Sequence, residues 1–348
     1  MLTARELRTA GMKVTLLEQT QIGRESSWAG GGIISPLYPW RYKSSVTALV
    51  SWSQAIYPQL AETLTLQSGI DPEYTVSGLL IIDPEDSEQA ILWSKSCGQN
   101  LQLIDNSEIH TSESSLQINA KNAAWMPDIA QIRNPRLIKS LHAAICNSIT
   151  IHQNTAVTDL IIDHGDIKGV VTDSGKFEAD RVVICAGAWT GKLLRSLDIS
   201  PDIDPVLGQM IIFKHKPNRV SRIILHQDRY VIPRRDGRVL IGSTLEHRGF
   251  EKTTTNQAKH ELKTYAIDHY PELSESEIEH HWAGLRPGSP NGIPYIGSVP
   301  GISGLYINAG HFRNGVVLGP ASCRLAADII LERTPTFNPE DYSLTADR

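Results

Sequence analysis

The sequence predicts an α/β chain in which a parallel-sheet domain of the βαβ kind is interleaved with an α+β domain built on a mostly antiparallel sheet. Three observations carry that expectation. Residues 2–18 run helix, buried strand, acidic residue, which is the order of the second half of a βαβ unit. Between residues 149 and 245 the chain turns to short apolar strands joined by hairpin signals, among them Asp173-Ser174-Gly175-Lys176 and Asp236-Gly237. Helix–strand blocks recur at three separated places, with β-rich blocks between them. The division that follows gives residues 1–70, 136–205 and 286–335 to the parallel-sheet domain. Residues 71–135 and 206–285 go to the other.

Taken in order, residues 2–10 read as a short helix stopped by Gly11, and Lys13–Leu17 as a buried strand ending at Glu18. Residues 23–32 (GRESSWAGGG) combine hydroxyls and glycines, so backbone N–H groups there can approach a phosphate closely. Residues 45–69 place Val46, Leu49, Val50, Ile56 and Leu60 at helical spacing. A strand is expected at 75–83, and helices at 87–98 and 136–148. A small antiparallel meander should then precede a buried, parallel-type strand at 182–186. Strands follow through 208–245, then a polar helix over 255–269 and a strand over 277–285 that ends before Arg286 and a Pro/Gly loop. Another strand, 305–308, runs into the turn 310–315. A last helix covers about 316–331, with Pro320 in or near its first turn, where proline is tolerated. The residues from Arg333 onward read as a weakly held tail.

Composition excludes several classes. The chain has 348 residues, enough for two cores, with a formal net charge of −5 and no long Lys/Arg run, which argues against nucleic acid or anionic membrane as partner. No apolar run is long enough to span a bilayer. The opening MLTARELRTAG is too charged for a secretory signal. Cys97, Cys146, Cys185 and Cys323 lack metal-ligand or CxxC spacing, so buried reduced thiols, a cytoplasmic location and no metal site are expected.

Three motifs stand in a specific order: Cys185-Ala186-Gly187-Ala188-Trp189, Gly284-Leu285-Arg286-Pro287, and His311-Phe312-Arg313-Asn314-Gly315. On these the chain resembles the D-amino-acid-oxidase-like family of FAD-dependent amine oxidoreductases, across essentially its whole length. Residues 23–42 (GRESSWAGGGIISPLYPWRY) are most similar to the glycine oxidases of thiamine biosynthesis. The resemblance implies a Rossmann-like FAD-binding domain beside a substrate domain. It implies oxidation of glycine or a similar small amino acid to an imine, then glyoxylate and ammonia, with dioxygen reduced to hydrogen peroxide. Thiazole synthase would be the metabolic neighbour, and a homo-oligomer is left open. Sibling activities are a D-amino-acid or sarcosine oxidase, or a dehydrogenase passing electrons to a quinone. The rival from another class is a truncated, flavin-free protein without activity. The family's GxGxxG fingerprint and its strand would fall just before Met1, so the chain reads as N-terminally truncated, and weak FAD binding or incomplete folding is expected of it.

The resemblance also assigns residues. Glu18 would hold the adenosine ribose, and Val157 the adenine through its backbone. Ser26, Ser27, Gly30 and Gly31 would line the pyrophosphate and flavin side, and Ala186 and Gly187 would permit close approach. Gly310, Arg313, Asn314, Gly315, Val316 and Leu318 would face the isoalloxazine ring, with the helix N-terminus favouring the anionic reduced flavin. Arg286 would pair with the substrate carboxylate, a bidentate contact that fixes position and orientation. Tyr230 would add a hydrogen bond to the same group, and Arg313 would act on the substrate side as well. Leu245 and residues 38–42 are candidate walls. No acid–base constellation surrounds the arginine, and none is required if the amine arrives neutral.

Overall fold

The computed structural model describes all 348 residues. Its largest element is an eight-stranded sheet in the order 277–288, 204–214, 239–242, 229–233, 223–226, 79–82, 122–126, 102–105. Every neighbouring pair is antiparallel except Ile223–His226 against Leu79–Ile82. Alternation along the strands decides which face meets what. Ile211, Phe213, Val231 and Ile241 point to one side and pack with Leu262, Tyr265 and Ala266 of the helix Asn256–His269. Met210, Ile212, Tyr230, Ile232 and Leu240 point to the other, against Ile33 and Trp40.

The parallel strands form two smaller sheets. Thr15–Leu17 pairs with Thr150–His152, and Val182–Ile184 pairs with Leu305–Ala309, which also carries Tyr295–Ser298. Thr15–Leu17 and Val182–Ile184 each form an edge of their sheet. The strand at 13–17 is therefore not the buried one expected: its three paired residues are exposed or half-buried, and within 182–184 only Ile184 is buried. Four helices close the core on this side. Leu2–Thr9 packs on Gly315–Ile330, and so does Ser44–Ser68, which also meets Asn134–Ile145. The meander is present as Val157–Asp163, Asp166–Thr172 and Gly175–Glu178.

Several expectations need correction. The strand expected at 75–83 is two, 75–76 and 79–82, broken at Gly78, where a β-carbon would stand 2.0 Å from the Trp125 ring. The last helix starts at Gly315, so Pro320 lies beyond the first turn. Its missing N–H would free the Val316 carbonyl, which instead accepts from the Tyr57 hydroxyl, and the Ser53 hydroxyl accepts from the Ala321 N–H at 3.1 Å. Only Cys323 of the four cysteines is buried. The tail is held: Tyr342 is buried and donates to the Ser45 carbonyl, Phe337 meets Trp52, and Arg348 lies over Tyr295. Finally, Arg286 is not beyond its strand but inside it. The strand runs on to Gly288, with Arg286 opposite Val206 and Pro287 opposite Pro205. No helix is long and apolar enough to cross a membrane.

Candidate active site

Where the site-facing side of the large sheet meets the N-termini of two helices, a cleft of about 340 Å³ opens. It runs from Met1–Thr3, at the start of the first helix, past Asn308 and Ala309, along the segment Ser26–Gly32, to Tyr230 and Arg286. The glycine segment can lie on the sheet because it lacks side chains. A β-carbon on Gly31 would stand 2.9 Å from Ile232, and one on Gly284 would stand 2.5 Å from that of Ala29. Arg234 fixes the segment from beneath by donating to the Gly31 carbonyl at 2.7 Å, and Trp282 donates to the Ala29 carbonyl at 3.1 Å.

Arg286 is half-buried, and its guanidinium is held by neutral oxygens alone. Nη1 donates to the Leu207 and Thr244 carbonyls, each at 3.3 Å, and Nη2 to the Ser243 hydroxyl at 2.7 Å. No carboxylate pairs with it, although fourteen ion pairs of Lys or Arg occur elsewhere in the molecule. Loss of hydration is the main cause that pushes its pKa down; the nearby Tyr230 phenol works against that, and Arg313 adds to it. An arginine has five N–H donors, so three bonds leave two free. Tyr230 is buried beside it, its hydroxyl 3.6 Å from the Met210 sulfur, with its ring lying over Gly242, where a β-carbon would come within 2.6 Å.

The turn 310–315 closes the other wall. Gly310 has a φ of +77° and accepts from the Ser289 hydroxyl at its carbonyl. His311 is half-buried, and desolvation pushes its pKa down to about 4, so it is a neutral imidazole at pH 7. Arg313 makes no ion pair and sits at the join of this cleft with an outer one of about 680 Å³, lined by Asp228, Arg229, Leu245, Glu246, Arg248 and Glu261.

The cleft's lining contains no Asp, Glu or Lys. The Asn314 Nδ2 and the Asn308 Oδ1 are buried without a partner. An elongated cleft with two helix N-termini, bare glycine backbone, arginines and unspent amide groups fits an anionic dinucleotide such as FAD. Of the expected residues, Ser26, Ser27, Gly30, Gly31, Gly187, Tyr230, Arg286, Arg313, Asn314, Gly315 and Val316 line it. Glu18, Val157, Ala186, Gly310 and Leu318 do not. Glu18 accepts from the Thr20 backbone at 3.0 Å, Val157 pairs with Thr172, and the Leu318 side chain is fully buried in the helix core. Leu245 faces the outer cleft, and residues 38–42 line neither.

Sequence reasoning missed Gly208, Met210, Ser243, His311 and the Met1–Thr3 helix start. Glycine inside the apolar strand 204–214 was a usable signal, because glycine there marks a close approach. Ser243 gave none.

The family described as FAD dependent oxidoreductase matches residues 1–329. The chain belongs to this family. This FAD-dependent oxidoreductase is 46% identical over 345 residues to a glycine oxidase of Pseudomonas aeruginosa, covering 99% of this chain and 95% of that protein. It is 28% identical over 353 residues to the bifunctional protein ThiO/ThiG of Synechocystis sp., covering 98% of this chain and 52% of that one. Among solved structures, that of glycine oxidase from Geobacillus kaustophilus superposes with a TM-score of 0.94 at 26% identity, covering 100% of this chain and 95% of the other.

Proposed function

We propose that this chain, with FAD, oxidises glycine and similar small amino acids to the imine, which water converts to glyoxylate and ammonia, while dioxygen becomes hydrogen peroxide. The observation that carries the reading is Arg286: a desolvated guanidinium in the cleft with two donors unspent and no ion-pair partner, Glu246 acting on it only from a distance. A buried cation without a counter-ion is costly, and a substrate carboxylate supplies one. FAD supplies the two-electron acceptor and returns the electrons to dioxygen. The chain's own residues do the rest. Arg286 fixes the carboxylate and so the direction of the Cα–H bond. Tyr230 adds a donor to the same carboxylate, and Arg313 guards the join with the outer cleft. With no carboxylate in the lining to hold an ammonium, and with Arg286 and Arg313 favouring loss of its proton, the amine reacts unprotonated.

The relatives named glycine oxidase support this reading over D-amino-acid or sarcosine oxidation and over a flavin-free protein. The fused ThiO/ThiG relative supports thiazole synthase as the consumer of the product, in thiamine biosynthesis. The two-domain division is part of the proposal, supported by an eight-stranded sheet drawn from 71–135 and 206–285 except for the strand ends 204–205 and 286–288, which cross the bounds and carry Arg286 into the cleft. The four unpaired cysteines support a cytoplasmic location. Oxygen uptake with glycine, sarcosine and D-alanine, with and without an artificial electron acceptor, tests the reading. Glycine-dependent oxygen consumption with stoichiometric peroxide is expected; no turnover of glycine with either acceptor would overturn it.

A further inference from the structure

Gly208 lies within the strand 204–214, and its backbone is ordinary extended strand: it is absent from the residues with positive φ. Nothing in the backbone calls for glycine, and glycine in a strand interior weakens the strand. What takes up the space is Arg286. A β-carbon on residue 208 would stand 2.2 Å from Nη2, 2.3 Å from Nη1 and 2.4 Å from Cζ of Arg286. Arg286 starts on the neighbouring strand, opposite Val206, and its guanidinium ends at Ser243 and Thr244, beyond residue 208. To get there it crosses residue 208 at the depth where any other residue carries its β-carbon. Directly opposite, Gly284 clears the same face for Ala29.

We propose that Gly208 is a positioning residue for the reaction: its missing side chain is the seat of the Arg286 guanidinium, and sets the depth at which the two free N–H groups meet the substrate carboxylate. This rests on the reading of Arg286 as the carboxylate partner. Without the seat, the guanidinium is lifted off Ser243 and Thr244 into the cleft, its fork is turned, and it occupies the volume of the amino acid it should hold.

The variant Gly208→Ala tests this in the flavin-loaded full chain. The clashing atoms are the far end of a flexible side chain, so the strand should fold and the guanidinium should move. The KM for glycine and the dissociation constant for acetate, a carboxylate without an amine, should rise together by roughly tenfold or more, the scale of a damaged charge-assisted contact. The thermal midpoint should not fall. Unchanged KM and acetate binding would overturn the inference. So would an equal loss of acetate binding when Gly208→Ala is made in an Arg286→Ala background, where the clashing atoms are gone. If Arg286→Ala itself keeps the wild-type KM, the carboxylate reading fails, whatever residue 208 does. If Arg286→Ala is impaired and Gly208→Ala is not, only the present inference fails. Should Gly208→Ala misfold, adding Arg286→Ala removes all three clashing atoms and should restore the fold; failure to do so sinks the inference.

Discussion

Arg234 and Arg286 both sit among neutral oxygens, yet only one is open to a ligand. Arg234 spends its guanidinium on Gln131, the Ile132 carbonyl and the Gly31 carbonyl, and desolvation pushes its pKa down to about 10. It does not line the cleft. Arg286 does, with donors to spare. Replacing Arg286 by Ala should therefore leave flavin binding intact and raise the KM for glycine by about a hundredfold, the equivalent of roughly 3 kcal/mol of charge-assisted hydrogen bonding. Steady-state kinetics beside a flavin absorbance spectrum checks both halves. Tyr230→Phe removes one donor and should cost the glycine complex about 1.5–3 kcal/mol, the worth of one hydrogen bond to a charged group, seen as a higher KM. At this scale the sequence was partly legible. Arg286, Tyr230 and the 310–315 turn announced themselves through charged or aromatic types set in motifs. Gly208 announced itself only as a glycine inside an apolar strand, and Ser243 not at all, because it acts through a single neutral oxygen.

At the scale of elements, helical spacing and hairpin residues located most of the longer helices and strands, because those patterns are local, but placed none of the strands 102–105, 122–126 and 295–298 nor the helix 106–112. What they left out are contacts made across the chain. Pro320 is the clearest example. Local rules tolerate it only in a first turn, whereas here it lies deeper, and the exposed carbonyl it leaves is taken by a tyrosine 259 residues away. The same helix begins at the cleft, where Gly315 and Val316 line the wall. The Tyr57 hydroxyl thus holds the turn of helix that borders the site. Tyr57→Phe keeps the ring in the core and removes only that donor. It should lower stability by about 1–3 kcal/mol, the cost of leaving a buried carbonyl unsatisfied, measured as the shift in a denaturant midpoint at constant slope. A shift smaller than measurement error would mean that the helix finds another donor.

For the whole molecule, the mixed character of the fold was legible because β-rich and helix–strand blocks alternate along the chain. The separateness of the two small sheets that hold the parallel pairs was not, since a short apolar strand reads the same whether both its edges are paired or only one. Nor does sequence show which histidines become buried, and this controls how the molecule meets acid. His311 is pushed down to about 4 by desolvation; His226 and His269 are also lowered, chiefly by desolvation, and share a ring-to-ring hydrogen bond of 2.9 Å in which one nitrogen must accept. Unfolded, each would titrate near 6.5. Between that value and the folded one, the unfolded chain binds more protons than the folded chain, so stability falls as pH falls. The histidine contribution is complete above about pH 6.5 and drains away toward pH 4. For His311 the shift corresponds to at most about 3 kcal/mol, reduced by water reaching the ring from the cleft. A second stage follows at lower pH, as Glu279 and Asp86 lose the pairings with Arg238 and Arg41 that hold their pKa values down. Denaturant midpoints should therefore fall already between pH 7.5 and 5.5, before the carboxylates begin to titrate, and fall further by pH 4 as both groups contribute. The variant His269→Gln cannot take up a ring proton, and it should flatten the drop between pH 7.5 and 5.5 whatever it does to stability at pH 7.5. An undiminished drop in that variant would remove the histidine pair from the account and leave His311 as the group to replace next.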